Sequence, residues 1–260
     1  MTSRRNILAS IKSDDVKTAN AGLWLNKYLD KKGDDDKAAK SESVKGVVNK
    51  ASNAELASLY QKFFARWEQA LQTYSVGQKS RVETRKARVQ GRMVIGLGAK
   101  SVLETSVALH HTYGVPYIPG SALKGMARHF ADAQRVEGWE PRHTRIVFGN
   151  DKKSEDVAAA GFITFFDAFY VPGSGEKGQA LHADVMTVHH AHYYMQGDVA
   201  PADWDDPNPV PFISATGAYL LALAGPENWL NPTFRLLELA LEEEGVGGKT
   251  SSGYGRMKFI

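Results

Sequence analysis

Five glycines among the twelve residues from Gly245 to Arg256 constrain the fold of this chain more than any other feature. We call this segment, Gly-Val-Gly-Gly-Lys-Thr-Ser-Ser-Gly-Tyr-Gly-Arg, the glycine loop. Because glycine loses the most backbone entropy on ordering, such a cluster indicates positive φ angles or a close approach to another backbone or a ligand. Between the glycines lie a cation and three hydroxyl groups that suit a phosphate oxygen: Lys249, Thr250, Ser251 and Ser252. The loop is predicted to hold an anionic backbone.

Charge is distributed unevenly along the 260 residues. Residues 1–90 hold 18 Lys+Arg and 10 Asp+Glu, a balance of +8, whereas residues 91–260 hold 14 and 19, a balance of −5, which together make the net +3. Six cations fall within fourteen residues with Glu83 as their one acidic neighbour: Lys79, Arg81, Arg85, Lys86, Arg88 and Arg92. This run is typical of a surface for nucleic acid or an acidic partner, and a solvated helix face is the alternative.

Composition excludes several classes of protein. The chain has no cysteine, so it has neither a disulfide framework nor a thiolate metal site. No stretch approaches the roughly 18 apolar residues of a membrane span, and the first residues lack the apolar region of a signal peptide. We therefore expect a globular cytoplasmic protein with no membrane association.

Residues 1–90 are predicted to form a basic helical N-terminal extension. Within it, residues 31–50 are charged, small and poor in apolar side chains, which predicts a mobile loop. From Asn53 onward, apolar residues recur at helical spacing and predict an amphipathic helix whose stripe packs in the core: Leu56, Leu59, Tyr60, Phe63, Phe64, Trp67 and Leu71.

After Gly91 the pattern changes to short apolar runs separated by glycine and proline. Strands are predicted at 92–97, 147–148 with 161–169, 181–188, 210–223 and 254–259. Two helices interrupt them, one capped by Ser121 and one over residues 232–244. This order predicts an α+β domain over residues 91–260, of the split βαβ, ferredoxin-like kind.

Two nucleotide-binding motifs are present only in part. Gly248-Lys249-Thr250 resembles the end of a P-loop, but the position of the first P-loop glycine is Glu243 and the segment follows a helix instead of a strand. Gly96-Leu97-Gly98 lacks the third glycine of a dinucleotide fingerprint, where Ser101 stands. We therefore expect neither a nucleotide triphosphatase nor a dinucleotide-binding site.

A second candidate anion site begins at Pro119-Gly120. There Ser121 is predicted to cap a helix whose first-turn N–H groups and positive dipole end suit an anion, beside Lys124 and Arg128. The alternative is a well-capped helix with two surface cations.

Three histidines, His189, His190 and His192, raise the question of a metal. In an extended segment His190 and His192 share one face and His189 points away, which gives two ligands where a site needs at least three. We therefore predict no metal and no cofactor. Beside Tyr193 and Tyr194, these histidines suit stacking on bases or subunit contacts instead.

Several motifs together resemble one family. They are Gly-x-Gly-x5-Gly-x-Gly in the glycine loop, Pro-Gly-Ser-Ala-Leu-Lys-Gly at 119–125, Gly-Leu-Gly at 96–98, Asp-Val-Met-Thr-Val-His-His at 184–190, and the proline-containing segments 201–204 and 207–212. This combination resembles the RAMP superfamily of CRISPR-Cas proteins and, within it, the sixth-subunit family of the type III-B Cmr effector complex. The resemblance extends from about residue 92 to residue 260.

The resemblance implies a modified ferredoxin-like (RRM-like) RAMP domain, assembled with other Cmr subunits around a guide RNA that pairs with target RNA. The implied protein partners are the backbone RAMP, the small helical subunit and the terminal RAMP subunits. It also implies that target cutting belongs to a backbone subunit, so this chain would bind RNA without catalysis, toward the 3′ end of the guide. The candidate RNA-binding residues are Ser121, Lys124, Arg128, His189, His190, Gly247, Gly248, Lys249, Thr250, Ser251, Ser252, Tyr254 and Arg256.

Two alternatives stay open. Some RAMP relatives cleave RNA by metal-independent acid–base chemistry, for which His189, His190 and Lys249 would be the candidates. The other alternative is a purely structural subunit whose glycine loop contacts only protein.

Overall fold

In the computed structural model the described residues are 20–27, 37–74, 80–99, 105–133, 136–150, 159–188, 200, 202 and 207–260. The helices in these ranges are α1 (Ala21–Lys27), α2 (Lys37–Ala51), α3 (Ala54–Thr73), α4 (Gly120–Asp132), α5 (Pro141–Phe148) and α6 (Glu227–Glu243). The strands are β1 (Ser80–Val89), β2 (Tyr117–Ile118), β3 (Gly149–Asn150), β4 (Ala159–Ala160), β5 (Thr164–Phe165), β6 (Ala168–Tyr170), β7 (Leu181–Val188), β8 (Asn208–Ala215), β9 (Ala218–Pro226) and β10 (Met257–Phe259). None of these helices has the length and apolarity of a membrane span.

An antiparallel sheet forms the centre of the domain, with strand order β10-β1-β9-β6-β2 and with β5 also paired to β9. Strand β9 is a continuous apolar run and is buried from Ala218 to Gly225, as expected for a strand covered on both faces. Arg85 of β1 lies over the ring of Phe234 in α6, while the next residue, Lys86, pairs with Glu68 in α3. Because successive strand residues point to opposite faces, α3 and α6 cover opposite faces of the sheet.

Helix α3 confirms the predicted amphipathic helix. Its side chains Tyr60, Phe64 and Leu71 are buried, and the side chain of Asn53 caps its first turn by accepting hydrogen bonds from two backbone N–H groups. Leu59 is 49% exposed, so the buried stripe is narrower than predicted. Phe63 and Trp67 are partly buried and pack against the same core.

Strands β7 and β8 form a second, two-stranded sheet that packs against α2. The loop predicted over 31–50 is therefore wrong for the part that is described, because Lys37–Ala51 is helical. Val44 and Val47, each 1% exposed, supply the buried face of this helix. The sequence did not predict this helix because its short apolar stripe lies among many charged and small residues. The rest of the predicted loop, residues 31–36, lies outside the described residues.

The basic run also differs from its prediction. Residues 80–89 form strand β1 in the middle of the sheet, so the helix expected there is wrong and the sheet begins before the predicted boundary at residue 91. Ala87 and Val89 are buried, whereas Arg81, Arg85, Lys86 and Arg88 are exposed and are distributed over both faces of the strand. Acidic groups of the same chain neutralise part of this run: Arg81 pairs with Glu227, Arg85 with Glu83, Lys86 with Glu68 and Arg92 with Glu176.

Other predicted strands are shifted or divided. The strand predicted over 210–223 is two strands, because Gly217 at φ +93° makes a tight connection between β8 and β9. Residues 147–148 end helix α5, and residues 92–97 contain only an isolated bridge between Met93 and Ala215. The predicted strand over 181–188 is confirmed at both ends.

A candidate nucleic-acid interface at the glycine loop

The glycine loop connects α6 to β10 and is anchored to residues 92–94. The N–H of Gly248 donates to the carbonyl oxygen of Val94 at 2.7 Å, and the N–H of Gly255 donates to that of Arg92 at 2.8 Å. The two ends of the loop are also joined to each other, since the N–H of Val246 donates to the oxygen of Gly255 at 2.9 Å. Val246 is buried, so the base of the loop is part of the core.

Three of the five glycines are required by this anchoring. A Cβ on Gly247 would lie 2.2 Å from the carbonyl oxygen of Val94, and one on Gly255 would lie 2.0 Å from that of Val246. Gly245 likewise approaches the backbone at Gly255, and all three glycines have positive φ angles. The predicted positive φ angles and close backbone approach are thus both present at these positions, and the backbone that they approach is the protein's own.

The tip of the loop, residues 249–252, faces away from these contacts. Lys249 adopts a left-handed conformation (φ 59°, ψ 30°) and begins a single 3₁₀ turn over Thr250–Ser252. Within the described part of the chain, no hydrogen-bond partner is found for the backbone N–H groups of residues 249–251 or for the four side chains of the tip. Three N–H donors, three hydroxyls and one ammonium group are therefore available to an anion.

Tyr254 connects the glycine loop to the β7–β8 hairpin. Its hydroxyl donates a hydrogen bond to Asp184 Oδ2 at 2.9 Å, and its ring lies 6.0 Å from that of Phe212. Burial raises the pKa of Tyr254, the bond to Asp184 raises it further, and the charge of Arg92 opposes the shift. The hydroxyl of this candidate RNA-binding residue is thus engaged within the protein.

A polar cluster beside the loop was not found by sequence reasoning. Arg92 Nη2 pairs with Glu176 at 3.0 Å, while Arg92 Nη1 and His182 Nε2 are buried without a hydrogen-bond partner among the described residues. Burial lowers the pKa of His182, and the charge of Arg92 lowers it further. The available signal was the spacing of His182 and Asp184, which places both on one face of strand β7.

Arg256, the last residue of the glycine loop, is exposed and contacts the end of helix α6. Its Nη1 donates to the carbonyl oxygen of Glu242 at 3.1 Å. A cation at a helix C-terminus satisfies a free carbonyl group and interacts favourably with the helix dipole. Arg256 therefore has a structural role whether or not it also contacts RNA.

The start of helix α4 differs from the predicted anion site. Pro119 occupies the N-cap position, so Ser121 is a residue of the first turn and the predicted Ser121 cap is wrong. Asp167 Oδ1 accepts a hydrogen bond from the N–H of Gly120 at 2.7 Å, and this carboxylate takes a place that an external anion would use. Ser121 itself is exposed.

The two cations of this helix, Lys124 and Arg128, are half-buried and lie on the same face as Ser121. Arg128 is 3.8 Å from Asp132, one turn later. His189 and His190 lie outside the described residues, directly after the end of β7.

The two candidate segments are joined by a layer of extended chain. Gly248 bonds to Val94, Ala108 donates to the oxygen of Ile95 at 2.7 Å, and Tyr117 donates to the oxygen of Ala108 at 3.4 Å. Since Tyr117 stands two residues before the N-cap of α4, three consecutive main-chain hydrogen bonds lead from the glycine loop to the start of that helix. The structure therefore places the two segments on one continuous part of the domain.

The sheet, its two covering helices and the anchored glycine loop define a RAMP domain, and the chain belongs to the RAMP superfamily, whose family model matches residues 86–258. Among individual proteins, it is similar to CRISPR system Cmr subunit Cmr6 of Pyrococcus furiosus, with 33% identity over 67% of each chain.

One of the solved structures that the chain resembles shares its fold. One chain of the cryo-EM structure of the Type III-B Cmr-beta bound to cognate target RNA aligns with a TM-score of 0.65 and 20% identity, over 85% of this chain and 71% of that one. The crystal structure of Cmr6 from Pyrococcus furiosus aligns over 70% of this chain and 100% of that one, with 30% identity and a TM-score of 0.42.

Proposed function

We propose that this chain is a non-catalytic RNA-binding and assembly subunit of a type III-B CRISPR-Cas (Cmr) complex, placed toward the 3′ end of the guide RNA. The observation that carries the proposal is the 33% identity to a Cmr6 subunit over two thirds of both chains. The complex in which the fold recurs is bound to target RNA, which supports an RNA-binding role. Its partners would be guide and target RNA and the other Cmr subunits, in the cytoplasm.

The tip of the glycine loop supports RNA binding through the sugar–phosphate backbone. Its free N–H and hydroxyl groups and Lys249 are donors that suit phosphate oxygens, and none of them needs a particular base. A subunit that serves many different guides requires such sequence-independent contacts. Ser121, Lys124 and Arg128 would extend the contact along helix α4.

The surroundings of the loop support a role without catalysis. His182 Nε2 is buried and the Tyr254 hydroxyl is bound to Asp184, so neither atom is presented to a substrate for proton transfer.

We also infer that the core is a modified ferredoxin-like domain. This rests on the chain order β1, α4, β6, β9, α6, β10 and on the sheet order β10-β1-β9-β6, which place the first and third of these strands side by side.

The test is photo-crosslinking and mass spectrometry of the chain assembled with guide RNA and the other Cmr subunits. Crosslinks at residues 121–128 and 247–256 would support the proposal. If the chain assembles with the other Cmr subunits but gives no RNA crosslinks at either segment, the result would favour the alternative of a purely structural subunit.

Incubation of the purified chain with guide precursor in the absence of metal tests the endoribonuclease alternative. Discrete products that are lost in His190→Ala would replace the non-catalytic role with that activity.

A further inference from the structure

A cavity of about 330 Å³ opens between helix α1 and the chain segments 96–99 and 106–109. Helix α1 contributes Leu23 and Asn26 to its wall, and the opposite side contributes Ala99, Ser106, His111 and Tyr117. This volume lies at the small end of the range for pockets that bind organic ligands, and it suits one planar ring system.

The cavity lies between the two candidate RNA-binding segments. Gly96 and Ala99, which line it, lie on either side of Leu97-Gly98, and the side chain of Leu97 would lie 3.6 Å from a Cβ on Gly248. On the other side, Tyr117 precedes the N-cap of α4 by two residues. An RNA strand held at the tip of the glycine loop would therefore pass beside the cavity on its way to helix α4.

The lining has the chemistry of a nucleobase site. His111 and Tyr117 provide aromatic rings for stacking, and Leu23, which is 51% exposed, provides an apolar edge at the mouth. The side-chain amide of Asn26 and the hydroxyls of Ser106 and Tyr117 have no hydrogen-bond partner among the described residues. These groups can pair with the polar edge of a base whichever base is present.

We propose that this cavity receives one unstacked nucleobase of the bound RNA, while the adjoining phosphate is held by Lys249 and the tip of the glycine loop. The proposal rests on the RNA-binding function proposed above. A single-stranded or locally unstacked nucleotide is the appropriate occupant, because a base within a regular duplex keeps both faces stacked on its neighbours.

The experiment uses the full chain in the assembled complex, with guide RNA that carries 4-thiouridine, whose crosslinks report the position of the base. We expect crosslinked peptides that contain His111 or Tyr117. In Ala99→Leu, which fills part of the cavity from an exposed position, their yield should fall roughly 5- to 150-fold, the factor that corresponds to one lost base–aromatic stack. If the Ala99→Leu chain does not assemble into the complex, His111→Ala, a change at a second exposed position, takes its place. This variant should reduce the yield of crosslinks at Tyr117.

Ala65→Leu, an exposed alanine on helix α3, is the matched control and should leave these crosslinks unchanged. Two results would overturn the nucleobase site and leave the proposed function in place. One is crosslinks at residues 247–256 without any in the cavity. The other is a yield of cavity crosslinks that is unchanged in both Ala99→Leu and His111→Ala. Crosslinks nowhere in the chain would overturn both. Crosslinks from the cavity to a neighbouring protein subunit, obtained with a protein crosslinker, would assign it to assembly instead.

Discussion

The hydroxyl of Tyr254 and the carboxylate of Asp184 are joined by a 2.9 Å hydrogen bond, although the two residues are 70 positions apart in the chain. This bond ties the glycine loop to strand β7, the last described element before His189 and His190. A change in the position of β7 would therefore be transmitted to the glycine loop through this bond.

Tyr254→Phe should lower the free energy of unfolding by about 1 kcal/mol, since it removes one side-chain hydrogen bond and keeps the ring against Phe212. Urea unfolding measures this loss. Asp184→Asn keeps an acceptor for the hydroxyl and should cost less. Equal stability of Tyr254→Phe and the unchanged chain would show that the bond does not hold the loop.

Gly247→Ala should be strongly destabilising, by about 2 to 4 kcal/mol, because its φ of +96° and the carbonyl oxygen of Val94 both exclude a side chain. Gly248→Ala is the matched control. A Cβ there would make only ordinary contacts of 3.6 Å or more, so the change should be nearly neutral. Thermal unfolding of the two variants compares them directly, and similar melting temperatures would contradict the close approach.

The parts of the fold that the sequence predicts well are those with local signals. Helix α3 follows from the spacing of Tyr60, Phe64 and Leu71, and strand β7 from alternation between residues 181 and 188. Strand β1 was misread as helix because its charged residues have no clear period, and its pairing with β9 joins residues more than a hundred positions apart. Tertiary pairing, not propensity, decides this segment.

The candidate site could be located from the sequence but not explained by it. The glycine loop was recognised from its composition, yet the reason for Gly247 is the carbonyl group of Val94, about 150 residues earlier. Asp167 is likewise 47 residues from the N–H group of Gly120 that it binds. The local sequence pattern does not show which distant residue a glycine or a carboxylate contacts. A glycine needed for packing and a glycine needed for ligand binding therefore have the same sequence pattern.

Lys249→Ala should weaken RNA binding to a similar extent for every guide sequence and reduce the slope of log K against log salt by about one unit. The reason is that one phosphate contact releases about one counterion and does not read a base. Lys62→Ala, at an exposed position on α3, is the control and should keep the slope of the unchanged complex. Filter binding across a salt series measures both, and an unchanged slope in Lys249→Ala would remove this residue from the site.

Asp167→Ala should destabilise helix α4 by about 0.5 to 2 kcal/mol, because the N–H of Gly120 loses the acceptor that now lies at 2.7 Å. Asp167→Asn retains an acceptor oxygen and should cost less. If helix α4 contacts phosphate, removal of the carboxylate in either variant should also strengthen RNA binding at low salt. Urea unfolding and filter binding separate the two effects, and weaker RNA binding by Asp167→Asn would contradict an anion contact at this helix start.

Alkaline pH should destabilise the protein, and two of the tyrosines that contribute lie at the contact between α3 and the sheet. The hydroxyl of Tyr60 donates to the carbonyl oxygen of Tyr170, and burial raises the pKa of both phenols. A phenol whose folded-state pKa exceeds its unfolded value contributes stability that is complete below about pH 10 and is lost as pH rises toward the folded value. The free energy of unfolding measured with urea should therefore be lower at about pH 11 than at about pH 8.

The variant Tyr60→Phe isolates the contribution of one phenol. At about pH 8 it should be less stable than the unchanged chain by about 1 kcal/mol, because the hydrogen bond to Tyr170 is gone. Between that pH and about pH 11 it should lose less stability than the unchanged chain, since one group that resists ionisation in the folded state is absent. An equal loss in the two proteins would show that Tyr60 does not contribute to the alkaline transition.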